Sequence, residues 1–183
     1  MANWKKRPVD LKANHNWKSK KGYHLFVADK GAIRFLFPET WIVEPAKSSI
    51  RFFNKPHPHH SSLLSVSYFN TFPVFTWRSI PLMKLFRSVV EKEGDSTARG
   101  NLVDASRPDI EIMWREYSYQ DPDEQREAYR RVCLARSDEI QALLTFEFFP
   151  EEAEKSDAAW REILGSLELG KYASDAAIGD ALT

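Results

Sequence analysis

Hydrophobic and polar residues alternate in short runs along most of the chain, with the period of two that is typical of half-buried β-strands. The runs at 22–28 and 32–37 flank the turn sequence Asp29-Lys30-Gly31 and predict a hairpin. Further runs predict strands at 41–44, 49–53, 63–69, 102–105, 110–119, 127–135 and 140–149. Because the last three are joined by connections too short for a parallel crossover, we expect them to form an antiparallel meander.

Two segments instead repeat their apolar residues with the period of an α-helix. The first covers residues 79–93, where Ser79 suits the N-cap, Pro81 the first turn and Gly94 the position after the helix. We expect both helices to pack their apolar faces against the sheet. The second covers about residues 156–167, and its apolar face consists of Trp160, Ile163, Leu164 and Leu167.

The order of these elements predicts one α+β domain, with a largely antiparallel sheet flanked by helices. We assign this domain to residues 20–170. Residues 1–19 are polar and basic and are predicted to form an N-terminal arm, while residues 171–183 are predicted to be a flexible C-terminal tail. A chain of 183 residues is long enough to bury one core without disulfides or metal.

The composition is typical of a soluble globular protein, with 43% hydrophobic and 28% charged residues. The single cysteine, Cys133, cannot form an intrachain disulfide, which fits a reducing compartment. No run approaches the roughly 18 apolar residues that a membrane-spanning helix needs. The basic N-terminus also lacks the apolar run of a signal peptide. We therefore expect a cytoplasmic protein with no membrane span.

Charge is distributed unevenly along the chain, although the formal net charge is zero. Residues 1–55 carry twelve Lys/Arg and four Asp/Glu, whereas residues 101–183 carry nine and nineteen. We expect these opposite excesses to neutralise each other within the fold. The arm interleaves basic residues with Trp4 and Trp17, a pattern found in nucleic-acid binders, but the chain is not basic overall and we do not expect nucleic-acid binding.

Several stretches resemble one known group of proteins. The sequence AIRFLFPETWIVEP at 32–45 is similar to a strand–Pro–x–x–Trp opening segment, and residues 49–69 match the hairpin that follows it. Residues 130–135 and 142–149 match later strands, and AWREILGSLEL at 159–169 resembles the closing helix. Together they resemble the PsbP-like superfamily, which includes the photosystem II extrinsic subunit, a Ran-binding nuclear-import factor of yeast and many uncharacterised bacterial domains. The resemblance implies an α/β/α sandwich and supplies no catalytic motif.

A histidine-rich stretch, NKPHPHHSSL at 54–63, raises the question of a metal site. A zinc ion needs three or four converging ligands. In an extended chain His57 and His59 point to one side and His60 points to the other, so only two of them converge easily. We therefore interpret the stretch as a surface connection between strands. His57 and His59 are weak metal candidates, and we predict no metal and no other cofactor.

The segment YFNTFPVFTW at 68–77 is the strongest candidate for a functional surface, because Pro and Asn interrupt it too often for a regular strand. Exposed aromatic side chains are typical of sites that bind protein partners. The alternative is that these rings are buried under the first helix. Our first hypothesis is a non-enzymatic binding or accessory module with an unknown protein partner, and its contact candidates are Phe69, Phe72, Phe75, Trp77, Trp4 and Trp17.

A second hypothesis is a small enzyme or ligand-binding protein whose pocket lies between the sheet and a helix. Its candidate residues are Glu111, Glu116 and Arg130. Cys133 alternates with other side chains in a predicted strand, so we interpret it as a core residue and not as a nucleophile. The sequence indicates no set of catalytic residues and no oligomeric state.

Overall fold

The computed structural model describes residues 10–70, 80–91 and 96–181. Its helices are α1 (Leu82–Val90) and α2 (Ala153–Ser166), and neither is long and apolar enough to cross a membrane. Short 3₁₀ turns at Asp29–Gly31 and Pro150–Glu152 precede β2 and α2. The strands are β1 (Tyr23–Ala28), β2 (Ile33–Pro38), β3 (Ile42–Pro45), β4 (Ile50–Phe53), β5 (Ser62–Asn70), β6 (Thr97–Asp104), β7 (Glu111–Gln120), β8 (Glu127–Arg136), β9 (Ile140–Phe148), β10 (Glu168–Leu169), β11 (Ala173–Asp175) and β12 (Asp180–Ala181).

The main sheet has the strand order β3-β4-β5-β9-β8-β7-β6, and its neighbouring strands are antiparallel. The predicted meander is present as β7-β8-β9, while β6 begins at Thr97 and not near residue 102. A smaller antiparallel sheet, β1-β2-β10, contains the predicted first hairpin. The predicted fold class, an α+β sandwich with a largely antiparallel sheet, is therefore confirmed.

Alternation along the strands gives the main sheet two apolar faces, and each face is packed against other elements. On one face Trp160 of α2 stacks on Phe146 of β9, with ring centroids 5.8 Å apart. Phe35 of β2 contacts Phe52 of β4 on the same face at 5.4 Å, which joins the small sheet to the main sheet. On the other face α1 packs through Phe86. The main sheet is thus the middle layer of the molecule.

Both predicted helices are present, but their starting residues differ from the prediction. α1 begins at Leu82, and the preceding Pro81 has an extended ψ of 130°. The prediction that Pro81 lies in the first turn is therefore wrong, because its ring stands one position before the helix. Ser79 and Gly94 lie outside the described residues, so their roles at the two ends of the helix stay predictions. α2 begins at Ala153, earlier than expected, because the 3₁₀ turn leads directly into it.

The arm and the tail contact each other in the described part of both segments. The Lys12 N–H donates to the Ala177 carbonyl at 3.0 Å. The Trp17 indole lies so close to Gly179 that a Cβ at position 179 would overlap it. β11 and β12 pair within the tail. The division of the chain into arm, domain and tail, and the flexibility of the tail in solution, stay predictions.

Ion pairs connect the basic N-terminal part of the chain to the acidic C-terminal part. This arrangement is the neutralisation expected from the uneven charge distribution. Most of these pairs lie at the surface, where each contributes at most about 1 kcal/mol. The pairs are Lys12 with Asp175 at 2.8 Å, Lys20 with Glu162 at 2.7 Å, Lys55 with Glu152 at 4.0 Å, and Arg34 with Glu168.

Candidate functional site

A cavity of about 280 Å³ lies between the main sheet and the N-terminal half of α2. Three parts of the chain meet there: the β2–β3 connection, the β4–β5 connection with the start of β5, and the start of α2. The cavity is therefore of the kind that the second hypothesis expects, between sheet and helix. Its walls include Trp41, Lys55, Ser62, Glu152, Lys155 and Ser156.

Two buried serines stand at the inner side of this cavity. Ser62, at the start of β5, is 4% exposed and Ser156 of α2 is 2% exposed. Their hydroxyl oxygens are 3.5 Å apart, which is long for a hydrogen bond between hydroxyls. Both hydroxyl groups therefore keep unused hydrogen-bonding capacity next to the cavity.

Asn54 holds the chain in place where it enters β5. Its Oδ1 accepts the backbone N–H groups of Ser61 and Ser62, each at 3.0 Å. Its Nδ2 donates to the Ser61 hydroxyl at 2.9 Å. These bonds engage both ends of the amide, so Asn54 positions Ser62 at the start of β5.

One carboxylate and two ammonium groups surround the cavity opening. The Glu152 side chain is 12% exposed and accepts the Ser61 hydroxyl at 3.1 Å. The ammonium groups of Lys55 and Lys155 lie 4.0 and 3.6 Å from its two carboxylate oxygens. Because both distances exceed a direct hydrogen bond, each ammonium group remains able to bind another anion.

The residues that the second hypothesis named lie elsewhere. They belong to β7 and β8, whereas the cavity opens at β4, β5 and α2. The assignment of a pocket to Glu111, Glu116 and Arg130 is therefore wrong for this cavity. Each of them is ion-paired: Glu111 with Arg136, Glu116 with Arg131 at 2.9 Å, and Arg130 with Glu147 at 2.7 Å.

The residues that do line the cavity carry no functional signal in the sequence. Ser62 and Ser156 look in sequence like ordinary residues at the start of a strand and a helix. The acidic and polar sequence EEAEKS at 151–156 signals only the start of a helix. Nothing local connects these segments, because they meet only when α2 packs on the main sheet.

The histidine stretch forms a turn and not an extended strand. The His59 N–H donates to the Pro56 carbonyl at 2.9 Å, which ends the expected alternation. His57 and His60 lie together instead, with ring centroids 4.4 Å apart, and both contact the ring of Phe53. The expectation that His60 points to the opposite side from His57 is therefore wrong. Burial, and then the nearby His57, lower the pKa of His60.

The described ranges of the chain contain no group of three His, Cys, Asp or Glu side chains that could hold a metal ion. The histidine stretch therefore has no third ligand within those ranges. His57 and His59 are both exposed. Zinc sites use three or four protein ligands. His57 and His59 therefore remain weak metal candidates, and no cluster of ligands surrounds them in the described residues.

Phe69 is the most exposed aromatic side chain of the described strands, at 47%. It lies near the end of β5, opposite Gln141 of β9. Its alternating neighbours Leu63, Ser65 and Ser67 point to the same side of β5, away from the α2 core. The other contact candidates in this segment, Phe72, Phe75 and Trp77, and Trp4 of the arm, lie outside the described residues.

Cys133 lies in the core between the main sheet and α2, fully buried. Burial raises the pKa of its thiol well above the ordinary range. The thiol therefore stays protonated at neutral pH, whereas a nucleophile or metal ligand must be a thiolate. The position supports the interpretation of Cys133 as a core residue.

Sequence comparisons identify relatives over almost the whole chain. A model of the Alr1449 family matches residues 24–173. The uncharacterised protein alr1449 of Nostoc sp. (strain PCC 7120 / SAG 25.82 / UTEX 2576) is 38% identical over 178 residues, which are 96% of this chain and 92% of that protein. The shared region therefore includes the main sheet, both helices and the cavity.

Solved structures share the fold at low sequence identity. Cyanobacterial PsbP (CyanoP) of Synechocystis sp. PCC 6803 matches with a TM-score of 0.55 and 13% identity, over 82% of this chain and 94% of that one. The Ran-binding protein Mog1p of Saccharomyces cerevisiae matches with a TM-score of 0.51 and 10% identity, over 80% of this chain and 95% of that one. A Bacteroides thetaiotaomicron protein matches with a TM-score of 0.56 and 18% identity, over 80% of this chain but only 48% of that longer chain. These likenesses confirm the PsbP-like resemblance as a shared fold.

Proposed function

Because the chain belongs to the Alr1449 family, whose relative in Nostoc is uncharacterised, we propose a function from the protein's own surface. The chain is a non-enzymatic binding module that contacts a protein partner through the ring of Phe69. The observation that carries this proposal is the 47% exposure of Phe69 on a long strand of the main sheet. Aromatic rings contribute strongly to protein interfaces when they enter a partner's pocket.

The position of Phe69 on β5 suits it to this role. β5 pairs with β4 at residues 63–66 and with β9 along its whole length, so the backbone at Phe69 is held by its pairing with β9. A side chain on such a strand loses less conformational freedom on binding than one on a loop. Ser65 and Ser67 stand beside it, and Ser67 donates to the Ser48 carbonyl at 3.1 Å. We therefore expect the partner to have an apolar pocket for the Phe69 ring, with polar groups around that pocket that face Ser65 and Ser67.

The remaining aromatic candidates extend the proposal along the chain. Phe72, Phe75 and Trp77 follow Phe69 directly in sequence and are proposed as additional contacts, together with Trp4 of the arm. Trp17 has a different proposed role, because its indole lies against Gly179 and ties the arm to the tail.

Two further observations fit a binding role. The only cysteine has a buried, protonated thiol, so it is not available as a nucleophile. The fold itself serves protein binding elsewhere, since Mog1p is described as Ran-binding. The single free cysteine also supports the cytoplasm as the proposed compartment.

The first stage of the test is site-specific crosslinking in the native host. The photoreactive residue p-benzoylphenylalanine replaces Phe69 in one variant and Val103 in a matched control, since Val103 is 36% exposed at the β6 edge of the sheet. We expect one protein to crosslink at position 69 and not at position 103. Identical crosslinks at both positions, or none at 69, would contradict the proposed surface.

The second stage measures binding between purified proteins. The partner that crosslinking identifies is purified without the crosslink and titrated with wild type, Phe69→Ala and Val103→Ala. Calorimetry measures the affinity of each. We expect Phe69→Ala to weaken binding by about tenfold or more, because the variant lacks the aromatic ring that the partner would bury in the complex. Val103→Ala should bind as wild type does. Equal affinity of the Phe69→Ala variant overturns the proposal.

A further inference from the structure

The cavity beside α2 is separate from the proposed partner surface, because Phe69 points away from the α2 side of the main sheet. We propose that this cavity binds a small hydroxylated anion about the size of a monosaccharide phosphate. Its volume of about 280 Å³ lies just below the usual range of about 300–1,000 Å³ for small-molecule sites, which suits a small ligand.

The inner part of the cavity recognises hydroxyl groups. The Ser62 and Ser156 hydroxyls, both more than nine-tenths buried, share only a 3.5 Å contact. A ligand hydroxyl placed beside them accepts from one serine and donates to the other, and it replaces the long contact with two shorter hydrogen bonds. Asn54 holds Ser62 in this position through the two backbone N–H bonds of 3.0 Å at Ser61 and Ser62.

The charges at the opening orient such a ligand. Two ammonium groups, those of Lys55 and Lys155, face the single carboxylate of Glu152, which gives the opening an excess of positive charge. The Glu152 side chain is 12% exposed, whereas the lysine side chains are 55% and 85% exposed. An anionic group therefore binds at the outer lysines, while the inner carboxylate accepts a hydroxyl from the same ligand.

The lining of the cavity includes the aromatic ring of Trp41, which packs against Phe146 of β9 with centroids 5.6 Å apart. This contact holds the indole in place before a ligand arrives. The C–H face of a sugar ring fits such a surface, whereas an open-chain anion covers less of it. Hydroxyl, anion and ring recognition thus converge on one class of ligand.

The test uses NMR titration of the full-length chain with three probes: glucose 6-phosphate, glucose and inorganic phosphate. We expect glucose 6-phosphate to shift the amide signals of residues 54, 55, 62 and 152–156 in a saturable way. Glucose and phosphate each supply only part of the recognition, so each should bind about tenfold more weakly or worse. Absence of saturable shifts at these residues with glucose 6-phosphate overturns the proposal.

Two variants and a control assign the binding to these side chains. Lys155→Met at the exposed rim leaves the core intact and should weaken glucose 6-phosphate binding by about fivefold or more. Ser156→Ala removes one buried hydroxyl and should weaken it by about the same factor. Lys84→Met is the matched control, because Lys84 is an exposed residue of α1 on the other side of the main sheet, and this variant should bind as wild type does. Unchanged affinity of Lys155→Met, or an equal loss in Lys84→Met, counts against the site.

Discussion

The guanidinium carbon of Arg131 lies 4.8 Å from the ring centre of Phe148, inside the layer between the main sheet and α2. The Arg131 side chain is only 6% exposed, and it pairs with Glu116 of β7 at 2.9 Å and with Asp157 of α2. A strand residue with a full charge thus joins the sheet to the helix. Its aromatic surroundings favour a delocalised guanidinium over a more strongly hydrated ammonium group.

Arg131→Ala should lower the free energy of unfolding by about 3 kcal/mol, because it removes a buried charge pair and leaves a cavity beside Phe148. Urea denaturation measures this loss. Arg126→Ala is the control: Arg126 also pairs with a carboxylate, Glu151 at 2.6 Å, but both side chains are about half exposed. Its loss should stay below about 1 kcal/mol. Equal losses in both variants would show that burial of the Arg131 pair is unimportant.

Gly31→Ala should destabilise the fold strongly, because Gly31 has a φ of +112° and a Cβ there would lie 2.1 Å from the Lys171 carbonyl oxygen. We expect a loss of about 2 kcal/mol or more in the free energy of unfolding. Gly100→Ala tests backbone strain alone, since Gly100 has a φ of +65° with open space around its Cβ position. That variant should lose about 1 kcal/mol. If it loses as much as Gly31→Ala, steric overlap at Gly31 is not the cause.

The thiol of Cys133 should not react with Ellman's reagent in the native protein at about pH 8, because burial both raises its pKa and shields it. Addition of urea should release one reactive thiol per chain. A Ser48→Cys variant provides the control, since Ser48 is exposed and its replacement should react quickly without denaturant. Rapid reaction of the native wild-type chain would contradict the buried position of Cys133.

His60 should make the protein less stable in mild acid. Its pKa in the folded state is lowered by burial and by His57, against the smaller opposing effects of Glu147 and Asp121. Since protonation is harder in the folded state, the stabilising contribution is present above the ordinary histidine pKa of about 6.5 and is lost as the pH falls. We expect a loss below about 1 kcal/mol, because His60 is only half-buried.

Denaturation of wild type, His60→Gln and His59→Gln at about pH 7.5 and about pH 5.5 checks this contribution on either side of the ordinary histidine pKa. His60→Gln should show a smaller difference between the two pH values than wild type. His59 is exposed in the same turn, so His59→Gln should keep the wild-type difference. If His60→Gln shows the same difference in the free energy of unfolding between the two pH values as wild type, His60 is not the source of that difference.

Periodicity predicted the strands and helices well because burial imposes it on neighbouring residues. Cys133 and Ala135 face one core and Val132 and Leu134 face the other, and that alternation is visible in the sequence itself. The same rule was wrong for His57 and His60, because the turn closed by the His59 N–H brings the two rings together. Alternation applies only where the chain is extended.

The cavity could not be predicted, because its residues come from segments that are distant in sequence. Ser62 and Ser156 meet through the packing of α2 on β5, and neither position carries a local signal for the other. Glu111 and Arg130 looked equally suitable as polar strand residues, yet they are ion-paired on β7 and β8. A charged residue in a strand indicates a need for a partner, and only the tertiary structure tells whether that partner is a ligand or another side chain.

The pairing of β5 with β9 at the centre of the main sheet has a kinetic consequence. Partners such as Ser62 and Phe148 are separated in sequence by α1 and three other strands. The hairpins of the meander form from neighbouring segments, but the β5–β9 ladder requires closure of a long loop before it gains any contact. Closure of this ladder is therefore expected to limit the folding rate, and until it occurs β9 presents an unpaired apolar edge on which newly made chains are prone to associate.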